Sequence, residues 1–153
     1  MDEDFYRQTY REVNPDQCVF EKGILTSQCC CSRSQKLLIA EREAANCTDK
    51  PALEHCQAFL DILKNQARFT LKLRDAHQNL GHAKAIKVQI GGLRGLYQAL
   101  YGTAEIPRPI PEVAGLIEES LERWGSPDKL PFSRIIPEIS AYEGRKRRGH
   151  RKK

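Results

Sequence analysis

Apolar runs in this 153-residue chain never exceed a few positions, so no segment reads as a membrane-spanning helix. The amino-terminal Met1-Asp2-Glu3-Asp4 is acidic and lacks the basic-then-apolar layout of a secretory leader. The expected setting is therefore a reducing cytoplasm, where stable disulfides are rare. Histidine is scarce, with only four residues. His55 adjoins Cys56 but would point about 100° away from it on a helix, and His77 and His82 flank a polar break. The glycines at Gly91-Gly92-x-x-Gly95 are not followed by Gly-Lys-Ser/Thr, which excludes a phosphate loop and leaves close helix packing or a bend as their reason. No spacing reveals an acid–base pair or an activated nucleophile, so enzymatic chemistry is not the expectation.

Strand signals are nearly absent and internal repeats are lacking, and helical periodicity recurs along the chain. Asn14-Pro15-Asp16-Gln17 reads as a helix start, with Cys18 in its first turn, and a second helix is expected from Ser34 to Ala45. Thr48-Asp49-Lys50-Pro51 opens the clearest one, whose stripe of Cys56, Phe59, Leu60, Leu63, Ala67 and Leu71 marks one buried face. The stretch 83–101 also reads as helix, although Ile86, Val88 and Ile90 alternate as a strand would. Pro107, Pro109 and Pro111 form a stiff connector to a helix carrying Val113, Leu116, Ile117, Leu121 and Trp124, ended by Gly125. Phe132 to Ile139 suggests a short last helix interrupted by Pro137. The expected fold is all-α: a single compact helical domain of six or seven helices over 1–144, followed by a disordered basic tail over 145–153.

The net charge of +5 belongs to that tail. Arg145, Lys146, Arg147, Arg148, Arg151, Lys152 and Lys153 supply seven of the 25 Lys/Arg, and the rest of the chain is slightly acidic. Seven cations without an aromatic residue suit salt-dependent, sequence-independent contact with nucleic acid phosphate or another acidic surface. A solvated terminus is the plainer reading.

Cysteine is absent outside positions 18–56, yet six residues crowd within them: Cys18, Cys29, Cys30, Cys31, Cys47 and Cys56. Thiolates are soft ligands, and four of them complete a zinc site or hold an iron–sulfur cluster. The paired C-x₂₋₄-C knuckles of zinc fingers are missing, as is the ferredoxin pattern C-x₂-C-x₂-C-x₃-C-P. Dispersed single cysteines suit a cluster inside a helical domain better than a zinc knuckle. The expected ligands are Cys18, one of Cys29 and Cys31, Cys47 and Cys56, with Cys30 turned away from both neighbours. Two plainer readings stand beside this one. Cys56 on its apolar stripe fits a small core residue, and accessible thiols fit a redox pair.

The expected function is that of a small cytoplasmic metalloprotein, holding an iron–sulfur cluster or else zinc. It would serve a redox enzyme or client protein in electron transfer, redox sensing or cluster accessory work. The alternative is a nucleic-acid-associated or adaptor protein with a structural zinc, whose tail carries the binding.

Overall fold

The computed structural model describes residues 14–72 and 81–143. Among them lie six α-helices and one antiparallel hairpin. In chain order these are α1 (Glu21–Leu25), β1 (Ser34–Ile39), β2 (Arg42–Cys47), α2 (Lys50–Gln66), α3 (Arg68–Leu71), α4 (His82–Tyr101), α5 (Val113–Trp124) and α6 (Phe132–Ala141). A 3₁₀ turn, Pro127–Lys129, links α5 to α6. The tail 145–153, with its seven basic residues, and His77 and His150 lie outside the described residues.

The helices form where periodicity and end signals agree. Asp49 caps α2 by accepting the Ala52 N–H at 3.2 Å, and Pro51 sits in the first turn, where its missing N–H costs nothing. Cys56, Phe59, Leu60 and Leu63 are all buried along that helix. The 82–101 stretch is helix, not strand: its burial runs from Ala85 to Ala99 on a broad face, and it ends at Gly102 with φ 63°. The stripe Gly91/Gly95 lets α4 meet α6 backbone to backbone. A Cβ at Gly91 would come within 2.6 Å of the Ile139 Cα, and one at Gly95 within 2.8 Å of the Ile135 Cα. Close packing is thus the reason for these glycines. Phe20 and Phe59 stack at 6.5 Å at the other end of the same core, which also buries Leu63, Leu93, Leu96, Ile110 and Ile117.

Two expectations fail, and with them the all-α class. The segment 34–45 is not a helix but most of a hairpin, so the fold is mixed α and β. Its local composition favours a helix, and tertiary hydrogen bonds override that preference. The segment before α1 runs antiparallel beside β2: the Cys18 N–H donates to the Ala45 carbonyl at 3.0 Å, and the Cys47 N–H donates to the Asp16 carbonyl at 2.8 Å. The Asn14 side-chain amide also donates to the Ala45 carbonyl, and the Glu21 carboxylate accepts the Ala45 N–H. A helix would have consumed those backbone groups internally. Asn14 is accordingly no N-cap, and Cys18 lies in extended chain before α1, not in a first helical turn.

Candidate metal centre

Cys18 and Cys47 stand on neighbouring extended segments, held side by side by the two backbone bonds that flank Ala45 and Asp16. Cys47 closes β2, and its thiol donates to the Asp49 carbonyl at 3.2 Å, just before α2 begins. Cys56 projects from the buried stripe of α2. Cys31 arrives from a loop that is pinned on both sides. The Cys30 N–H donates to the Ile110 carbonyl at 2.8 Å and the Val113 N–H to the Cys30 carbonyl at 2.9 Å, which ties the triplet to the connector ahead of α5. Glu112 then accepts the Ser32 N–H at 2.8 Å, the Ser32 hydroxyl at 3.0 Å and the Cys31 thiol at 3.8 Å.

This framework brings Cys18, Cys31, Cys47 and Cys56 to the wall of one small cavity of about 20 Å³, otherwise lined by Phe20, Leu53, Val113 and other apolar groups. A space of that size takes about one water-sized occupant. Arg33 and Ser34 complete the lining. The Ser34 hydroxyl oxygen is buried with no hydrogen-bond partner in the protein, behind an otherwise apolar cavity surface. Arg33 is clamped by Glu118 at 3.0 and 3.3 Å and by Asp49 at 3.3 Å, which holds its positive charge at the cavity's edge.

The thiols sense one another. Burial pushes the Cys18 thiol up to about 12, the Phe20 N–H bonded to its sulfur pulls it down, and Cys31 and Cys47 push it further up. Burial also raises Cys31, against the Arg33 and Ala114 N–H groups that donate to its sulfur. Cys56 is raised by burial and then by Cys18, Cys31 and Cys47, in that order. Without a cation these three stay protonated at neutral pH, since desolvation penalises the thiolate. Three backbone N–H groups aimed at two sulfurs are the hydrogen bonds that stabilise thiolates around a metal.

The triplet divides as alternation in extended chain requires. Cys30 is exposed, Cys31 faces the cavity, and Cys29 is buried elsewhere, packed where a Cβ on Gly23 would come within 2.9 Å of its sulfur. Cys29 is therefore near the group without lining its cavity. His55 and His82 are exposed and contribute nothing to the lining. Glu112, Arg33 and Ser34 went unnoticed in the sequence. A Pro-Glu pair ahead of an apolar helix hints at a cap, but nothing local links Glu112 to Ser32.

The four sulfurs converge without closing into a coordination shell. Among the described residues, no group of three or more His, Cys, Asp or Glu side chains is arranged to hold an ion as it stands. All six cysteines are free thiols. Among the described residues no helix is long and apolar enough to cross a membrane. Comparison with protein-family models, curated proteins and solved structures finds no match.

Proposed function

We propose that the chain is a cysteine-ligated metalloprotein whose Cys18, Cys31, Cys47 and Cys56 hold an iron–sulfur cluster, and that it works in electron transfer, redox sensing or cluster accessory work. One observation carries this reading. Four cysteines drawn from an extended segment, a loop, a strand end and a helix line the same small cavity. Four thiols at one point, Cys56 buried and Cys18, Cys31 and Cys47 half-buried, gain little as ordinary core residues, because each forgoes the larger apolar contact a Leu or Val would make there.

The donor set is of the chemical type the group takes. Binding would release the protons that burial keeps on Cys18, Cys31 and Cys56, so folding and loading are coupled. The N–H groups of Phe20, Arg33 and Ala114 would stabilise the resulting thiolates, and the Arg33 guanidinium would offset part of the net negative charge that four thiolates impose. The apolar walls would keep water from the sulfurs. A bound cluster supplies one-electron chemistry. A reducing cytoplasm fits free thiols, and the partner would be a redox enzyme or client protein.

A second reading is favoured by the size of the cavity. About 20 Å³ accepts a single ion with little movement, whereas a cluster requires the four thiols to move apart. A structural zinc in an adaptor protein is the alternative, with the tail 145–153 as a polyanion contact that rests on its charge alone.

Anaerobic purification followed by a visible spectrum and iron, sulfide and zinc analysis separates the two. Broad visible absorption with matching iron and sulfide supports the cluster. A colourless protein with one zinc supports the alternative. A folded, metal-free chain refutes both.

A further inference from the structure

We propose that the cleft between the turn after α1, the middle of α4 and the connector ahead of α5 binds a phosphate-bearing small molecule. The cleft has a volume of about 310 Å³, within the range of small-ligand sites. Arg94 reaches it from α4 and Arg108 from the connector, with Thr26, Ser27, Gln28 and Tyr142 around them. No carboxylate lines it.

Two guanidiniums on one cavity repel each other. Arg94 is half-buried, and its pKa is lowered by desolvation first and by the charge of Arg108 second. Glu138 counteracts this in part; it and Glu143 line an adjoining depression that Arg94, Arg108 and Tyr142 also border, and neither carboxylate lines the cleft itself. Among the described residues neither arginine is engaged in an ion pair. Both are nevertheless held in place. Arg94 donates to the Pro107 carbonyl at 3.2 Å, and Arg108 lies over the Tyr142 ring at 5.4 Å. The Tyr142 hydroxyl donates to the Gln28 side-chain carbonyl, and the Gln28 amide donates to Thr26 at 2.9 Å, which orders the polar wall. Fixed cations, left mutually repulsive and facing open space, match an oxyanion that accepts from both. A phosphate monoester near two negative charges balances the pair, whereas a single carboxylate balances one. The ligand's remaining part would lie toward Ile90 and Pro109, the apolar side of the cleft.

This inference does not depend on the metal centre. Isothermal titration of the protein as purified, at constant ionic strength, uses inorganic phosphate, pyrophosphate and glycerol 3-phosphate, with acetate and succinate as the carboxylate arm. Saturable binding of a phosphate probe is expected, weakened about tenfold or more by Arg108→Gln and by Arg94→Gln. Arg108 is solvent-exposed, so Arg108→Gln keeps its fold, and circular dichroism verifies both variants. Three outcomes overturn the proposal: no saturable phosphate binding, binding unchanged in both folded variants, or succinate bound as tightly as the phosphates.

Discussion

Glu112 accepts two hydrogen bonds from Ser32, at 2.8 Å from the backbone N–H and 3.0 Å from the hydroxyl, across eighty positions of sequence. The same carboxylate caps α5 by accepting the Gly115 N–H at 3.3 Å. One side chain thereby locks the cysteine loop to a helix start. Glu112→Ala removes the cap and the loop anchor together, for an expected loss of about 1–3 kcal/mol in the denaturant-unfolding free energy. Metal content per chain should fall as well, because Cys31 loses its support. A variant as stable as the parent would show that the anchor is idle.

The cysteines should respond unequally to serine. Cys18→Ser, Cys31→Ser, Cys47→Ser and Cys56→Ser should each strip most of the metal, measured as iron or zinc per chain. Cys30→Ser should change neither metal nor stability, since Cys30 is exposed. Cys29→Ser is the sharper case: metal stays, but a buried hydroxyl without a partner should cost about 1–3 kcal/mol. Loss of metal from Cys29→Ser equal to that from Cys31→Ser would contradict the assignment.

The hairpin turn carries strain that substitution should relieve. Ala40 and Glu41 both have positive φ, 51° and 70°, a conformation costly to residues with a Cβ. Ala40→Asn with Glu41→Gly should raise the unfolding free energy by about 0.5–1 kcal/mol, the opposite of the usual sign for Ala→Asn and Glu→Gly changes. Thermal melts of the pair against the parent decide it.

Glycines of α4 should separate by what they face. Gly91→Ala and Gly95→Ala push a methyl into the backbone of α6 and should cost about 1–3 kcal/mol or more. Gly92→Ala meets the end of the Leu63 side chain, which can turn aside, so its cost should be smaller. Denaturant midpoints of the three variants give the order directly.

Alkaline titration should find Tyr101 late. Its hydroxyl donates to the Glu119 carboxylate, and that bond pushes its pKa up to about 12. The neutral phenol is the form the fold favours. Its contribution to stability is whole below the ordinary tyrosine value of about 10 and is lost as the pH rises toward 12. In Glu119→Gln the Tyr101 absorbance change at alkaline pH should move back toward 10, with Tyr101→Phe identifying the band.

How much of this was legible depends on the range of the forces involved. Asp49, Pro51 and the stripe from Cys56 to Leu71 announce α2 because capping and 3.6-residue periodicity are local. The hairpin was invisible because its turn lacks the Asn-Gly or Asp-Gly signal, and the extended segment that bonds to β2 lies before α1. Clustering of the cysteines in sequence singled out Cys18, Cys47 and Cys56, and left the choice between Cys29 and Cys31 open.

The sequence by itself determined that thiols are concentrated in about one quarter of the chain, that most of it is helical, and that its basic charge sits at the end. Those are properties of composition and short-range pattern. Only the tertiary structure decided that residues 34–45 pair as strands, that Cys31 and not Cys29 lines the cavity, and that Glu112 and Arg33 support it. Each of those outcomes rests on contacts between distant segments, where buried backbone groups must find partners and local preference yields to them.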